Sequence, residues 1–249
     1  MYKYVPFFLS LIPAVDEQAY TDIFLLPIGI SFYTFQAVGY VIDIYKNSYK
    51  DERSLLSFAC FISFFPQLVA GPIERYDNLF EQIHEMKNPD YSMISKGFRH
   101  IIVGLCLKLL VAETMASFVN PVYNNLEGKS GIAVIIATIC FGIQIYCDFN
   151  GYTQIAIGSA KMLGINLMQN FNHPYTATSI ADFWRRWHIS LTTWFRDYLY
   201  IPLGGNRKGK LRTSLNSIIT FLVSGIWHGA NWTFALWKVG ILLLHTRTK

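Results

Sequence analysis

Charge is what this chain has least of. Asp, Glu, Lys and Arg make up 15% of its 249 residues, against about 25% in an ordinary soluble domain, so there is too little polar surface to coat a water-soluble globule. The stretches 23–42, 54–73, 130–147 and 213–237 contain none of these residues, each over the ~17–25 residues that a membrane-spanning helix needs. Cysteine is also scarce. Cys60, Cys106, Cys140 and Cys147 form no C-x-x-C pair and fall in apolar segments, which reads as buried packing and carries no information on the redox compartment.

Several catalytic signatures are missing or defective. Without a G-x-S-x-G elbow, a serine-hydrolase route is excluded. His84-Glu85 begins a zinc-type H-E-x-x-H, but Asn88 stands where the second histidine belongs. The run GGNRKGKL (204–211) has the spacing of a phosphate-binding loop, yet Leu211 occupies the magnesium-binding Ser/Thr position. The expectation is a chain with no metal and no bound cofactor. Residues 1–15 carry one positive charge (Lys3), are broken by Pro6 and Pro13 and lack a small-x-small cleavage site. They read as the stub of a retained membrane helix and not as a secretory signal.

What is present is hydrophobicity, at 52% of residues, and a few polar groups in unusual places. A further apolar stretch, 97–120, is interrupted by Lys108 and Glu113, which would face the interior of a bundle or mark a shallow interfacial helix. The pattern predicts an all-α, polytopic membrane helical bundle. Its five spans lie near 23–42, 54–73, 97–120, 130–147 and 213–237, within a single domain covering 1–249. Arg185, Arg186, Arg196, Arg207, Lys208, Lys210 and Arg212 against Asp182 and Asp197 place the 182–212 connection at the cytoplasmic face. Nothing beside that basic patch resembles a nucleic-acid reading helix or an aromatic strand platform, so its expected partner is anionic lipid.

All six tryptophans lie between Trp184 and Trp237, around two histidines. Ser179 and Asp182 are placed to cap a helix near 180–200. In it Trp184, Trp187, Leu191, Trp194 or Phe195, and Tyr198 recur at spacings of three and four. His188, Thr192 and Arg196 form another row on that predicted interfacial amphipathic helix, and Pro202 with Gly204-Gly205 ends it. His188 reads either as a site residue or as an interfacial polar group bonded to backbone or headgroup. His228 lies about 23 Å along the next predicted helix, flanked by Gly225 and Gly229, with Ser224 and Asn231 one turn to either side. An ionisable group at such depth is a functional-site hypothesis, set against an imidazole that merely bridges two helices. Asp148 and Asn150, at the end of the preceding predicted span, read as cavity-lining groups or as helix-end solvation.

These residues also carry a resemblance. FWRRWHISLTTWFRDYLYIPLGGNRKG (183–209) and IWHGANW (226–232), preceded in order by LPIGISFYTFQAVGYVIDIY (26–45), FFPQLVAGPIERY (64–76) and QIYCDFNGYTQIAIGSAKMLGI (144–165), resemble the membrane-bound O-acyltransferase superfamily, specifically its bacterial alginate O-acetylation branch. The resemblance implies a multi-pass protein of the bacterial inner membrane pierced by a central funnel, with catalytic His228 and a second signature position at His188. The implied reaction carries an acyl group, acetyl in this branch, from a cytoplasmic thioester (acetyl-CoA or an acylated carrier protein as co-substrate) toward hydroxyls of an extracytoplasmic polysaccharide such as alginate. Membrane lipids and extracytoplasmic acetyltransferases are the implied partners. Trp187 and Trp194 would line the path, Arg186 and Arg196 would meet donor phosphates, Asn231 would orient the imidazole and Asp148 would line the cavity. The chain is shorter than the family's usual length, Lys238 opens a divergent tail, and Gln154 stands where the family commonly has Asp. These departures imply a truncated member. They keep open a non-catalytic remnant or partner-binding subunit, and behind it a transporter with a histidine relay.

Overall fold

The computed structural model describes residues 29–46, 54–69, 71–85 and 88–228, and every regular element among them is helical. They fall into two compact units, one drawn from Met1–Tyr45 with Asn172–Lys249 and the other from Lys46–Phe171.

In the second unit, α2 (Leu55–Ser63) starts at Ser54, whose hydroxyl accepts the Ser57 N–H at 3.4 Å. Here the sequence expectation is corrected. The apolar run 54–73 is not one span, because Phe64 turns extended ahead of the four-residue α3 (Phe65–Leu68), and residues 72–75 carry no regular structure. The cause is Pro66, which has no N–H to give a continuing helix and whose ring would strike the carbonyl one turn back. Nine helical residues rise only about 14 Å, half of the ~30 Å hydrocarbon core. Phe61 of α2 meets Tyr76 of α4 (Tyr76–His84) edge-on at 5.4 Å.

Among the described residues, two helices are long and apolar enough to cross a membrane: α5, Tyr91–Tyr123, and α6, Gly131–Met162. Asp90 caps α5 by accepting the Met93 N–H at 2.7 Å, and Ser130 caps α6 by accepting the Ala133 N–H at 3.3 Å. Only 11% of each apolar window is buried, whereas the core helix of a soluble protein would be covered. Phe98, Leu109, Leu110, Phe118, Ile132, Ile135 and Ile139 stand exposed along them, a belt suited to lipid. Both outrun their predicted bounds of 97–120 and 130–147. Asp148 therefore sits mid-helix, and its expected place at a helix end is corrected.

The α5–α6 pair is closed by glycine. A Cβ on Gly97 would stand 2.7 Å from the Gly158 carbonyl oxygen, and one on Gly104 would stand 2.6 Å from that of Gly151. The backbones approach where only glycine fits. Interleaved with these contacts are polar ones: His100 Nδ1 pairs with Gln154 Oε1 at 2.6 Å, and Lys108 Nζ meets Asp148 Oδ1 at 2.5 Å. Lys108 also lies over the Tyr152 ring, 4.4 Å from its centre. It belongs to a π-helical segment, Cys106–Ala112, inside α5. Lys108 thus faces α6, the first of the two orientations the sequence allowed.

The chain leaves α6 as an extended strap held to α4. Gln82 donates to the Asn166 carbonyl and accepts the Asn166 N–H, at 3.0 and 2.7 Å. Two residues on, the Glu74 carboxylate accepts the Met168 N–H and, on its other oxygen, Asn78 Nδ2 at 2.6 Å. Burial pushes the Glu74 carboxyl above its usual range, against the pull of those two donors.

The first unit contains α1 (Ile30–Tyr45), a 3-10 turn (Pro174–Thr176), α7 (Ile180–Arg186), α8 (Ile189–Phe195), a π-turn (Arg196–Tyr200) and α9 (Lys210–His228). The remainder of the predicted spans 23–42 and 213–237, before 29 and after 228, lies outside the described residues.

Candidate functional site

Ser179 caps α7 as its sequence suggested, accepting the Asp182 N–H at 3.1 Å. The continuous helix expected over 180–200 is not formed. Trp187 turns extended at the end of α7, and His188 adopts left-handed angles, φ 45° and ψ 55°, as the residue preceding α8. His188 does not continue a row with Thr192 and Arg196 on one helix; it is the joint between two. A non-glycine residue in that region costs about 1–3 kcal/mol and persists where its surroundings over-determine it. His188 is 4% exposed, and its carbonyl accepts the Thr192 N–H at 3.0 Å. The spacing pattern missed the break because three- and four-residue periodicity survives one interrupted turn.

Around this joint the aromatic side chains stack. The Trp187 ring lies on Phe183 at 5.4 Å with a 17° tilt, and Tyr175 lies 6.1 Å from Trp187. Both arginines assigned to anion binding are already engaged. Arg186 Nε meets Asp182 at 2.9 Å, and Arg196 Nε meets Asp197 at 2.7 Å. The Arg186 guanidinium holds the Asp182 carboxyl below the usual carboxylate range. Arg185 shares Asp182 at 3.4 Å and is the most exposed of the three, at 74%.

His228 is the last described residue of α9 and is half-buried. Its Nδ1 lies 2.8 Å from the Ser224 carbonyl. A carbonyl only accepts, so Nδ1 carries a proton, and in the neutral imidazole the lone pair resides on Nε2. The tautomer is set by the backbone one turn earlier; Asn231, expected to do this, lies outside the described residues. The Trp227 ring is 4.7 Å from the imidazole.

Sequence reasoning missed the residue that links these elements. The Phe35 ring of α1 lies 4.3 Å from Trp194, 5.4 Å from Phe195 and 4.9 Å from Trp227. Trp194 Nε1 donates to the Phe35 carbonyl at 3.0 Å. Phe35 thus connects the helix headed by His188 with the turn that ends in His228. Asp148 belongs to the other unit, in its ion pair with Lys108.

Residues 47–247, a stretch containing both histidines, match the model of the membrane-bound O-acyltransferase family. The chain belongs to that family. Members of the membrane-bound O-acyltransferase family are polytopic membrane proteins, in keeping with the lipid-suited faces of α5 and α6. A probable alginate O-acetylase from Azotobacter vinelandii is 43% identical over 213 residues, 86% of this chain and 42% of that protein. A peptidoglycan O-acetyltransferase from Helicobacter pylori is 36% identical across 95% of this chain and 50% of its own length. A teichoic acid D-alanyltransferase from Bacillus subtilis is 28% identical, covering 81% and 53%. The chain thus spans less than half the length of its alginate-type relatives.

Proposed function

We propose that this chain carries the reaction centre of an O-acyltransferase that moves an acetyl group from a cytoplasmic thioester to hydroxyls of an extracytoplasmic polysaccharide such as alginate. The observation that carries the reading is the His228 tautomer. With Nδ1–H committed to the Ser224 carbonyl, Nε2 is the basic atom, and a neutral imidazole with a fixed donor side is what general-base chemistry requires. His228 Nε2 takes the proton of the acceptor hydroxyl as its oxygen bonds to the thioester carbonyl carbon. Collapse of the tetrahedral intermediate breaks the carbon–sulfur bond, and the imidazolium returns the proton to the departing sulfur, leaving an ester and a free thiol.

His188 serves the developing negative charge or the donor's orientation, and its buried, left-handed setting supports a role that requires one fixed position. Trp187 and Trp194 offer flat apolar walls for the donor. Arg186 and Arg196 meet its phosphates by exchanging or sharing their Asp182 and Asp197 partners. Asn231 is assigned to the same site by its place three residues after His228 in the sequence, and Asp148 is assigned to substrate binding through its carboxylate.

The setting that fits is a multi-pass protein of the bacterial inner membrane. It binds no cofactor and takes acetyl-CoA or an acylated carrier protein as co-substrate. Extracytoplasmic acetyltransferases complete delivery to the polysaccharide. The relatives named for alginate, peptidoglycan and teichoic acid support acyl transfer to a polymer more strongly than they support alginate itself.

The test is mass spectrometry of cell-surface polysaccharide from cells carrying wild-type or His228→Ala protein. Ester-linked acetyl disappears in the variant while the protein accumulates in the membrane at the wild-type level. Persistence of the ester in that variant would overturn the assignment.

A further inference from the structure

Asp43 directly follows the uncharged run 23–42, yet it is buried, at 8% exposure. A carboxylate so placed costs free energy unless it is bonded. Its Oδ2 accepts the Tyr198 hydroxyl. Phe35, Gly39 and Asp43 recur every four residues, so they form one stripe of α1. Trp194 and Tyr198, also four apart, form the opposing ridge, with their rings 4.9 Å from one another. A Cβ on Gly39 would stand 3.2 Å from Trp194 Nε1 and 3.4 Å from the Tyr198 hydroxyl, so the ridge seats directly on the glycine. The stripe therefore grips the ridge at each end: the Phe35 carbonyl holds Trp194, and Asp43 holds Tyr198 in the π-turn. Phe35 also touches Trp227, beside His228.

We propose that Asp43 is a positioning residue: by anchoring Tyr198 it fixes the Arg196–Tyr200 π-turn and α8 on α1, and so sets His188 and Trp194 relative to the Trp227–His228 end of α9. It touches no reacting atom. The consequence for catalysis rests on the acyltransferase reading, whereas the anchoring itself does not.

Three variants in the full chain separate the two. Asp43→Asn keeps a side-chain oxygen for the Tyr198 hydroxyl, Asp43→Leu removes it, and Tyr198→Phe removes the hydroxyl alone. Near-ultraviolet circular dichroism of the purified protein reports the fixed packing of Trp194 without reference to any reaction. That signal is retained in Asp43→Asn and reduced in Asp43→Leu, in Tyr198→Phe and in their combination. In acyl transfer, kcat falls by about tenfold to a hundredfold in the last three, as expected for a misplaced reacting group. Asp43→Asn keeps the wild-type kcat. Should Asp43→Leu fail to accumulate, Tyr198→Phe carries the test. A wild-type signal in Tyr198→Phe overturns the anchoring. An altered signal with undiminished kcat overturns the positioning role. If the wild-type protein transfers no acyl group, the acyltransferase reading fails while the spectra still decide the anchor.

Discussion

The α5–α6 pair and the segment from α7 to α9 place polar groups among apolar ones by opposite means. In α5 and α6 the helices run for 33 and 32 residues, α5 through one π-helical segment. Their polar side chains pair across a glycine-lined seam, His100 with Gln154 and Lys108 with Asp148. Around the histidines, short helices are interrupted by a left-handed residue, a π-turn and positive-φ glycines at 204 and 205. There His188 is presented by backbone that departs from the helix, whereas His228 stays in α9. A seam that matches charge with charge tolerates long regular elements and has a structural purpose. A joint that bends the chain at His188 keeps one imidazole in a place regular helix would not reach.

The largest effect expected from breaking this comparison is at the seam. Gly104→Leu drives a side chain into the Gly151 carbonyl, 2.6 Å from where its Cβ must stand. The helices must part, at a cost of about 3 kcal/mol or more, read as loss of folded protein in membranes and a lowered melting midpoint in detergent. A smaller loss follows at the ion pair. Lys108→Leu leaves Asp148 uncompensated, but that carboxylate is 50% exposed. About 1–2 kcal/mol is expected instead of the ~3–5 kcal/mol of a fully buried pair. Exchanging the residues, Lys108→Asp with Asp148→Lys, recovers most of the melting midpoint if attraction is the reason for the pair.

The smallest effect sharpens the other side. His188→Asn keeps a residue that tolerates left-handed angles and loses only the packing of the buried ring, about 1 kcal/mol. His188→Val, β-branched at the same φ, costs about 2 kcal/mol. Equal melting midpoints for the two variants would remove backbone conformation as the reason for the joint.

Much of this was legible from residues alone. The Ser179 cap, the glycine turn after Pro202 and the two histidines all follow from local chemistry that neighbours in sequence supply. Hydropathy reads the apolar run 54–73 as a span because it counts side chains and ignores what Pro66 does to the backbone. The end of the charge-free run points to a helix end at Asp148, although polar residues continue α6 once Lys108 and Gly104 face them. Asp43 carried a signal that was overlooked: a lone acid four residues beyond Gly39, itself four beyond Phe35.

The sequence by itself determined that this is a helical membrane chain of the O-acyltransferase family and that His188 and His228 are its unusual groups, because composition, run length and local motifs are properties of neighbouring residues. Only the tertiary structure decided that Lys108 answers Asp148, that Phe35 and Asp43 of α1 grip the Trp194–Tyr198 ridge, and that His188 is a bend instead of a helical position. Those outcomes depend on which helix faces come together, and facing is settled by packing between residues as far apart in the chain as Asp43 and Tyr198.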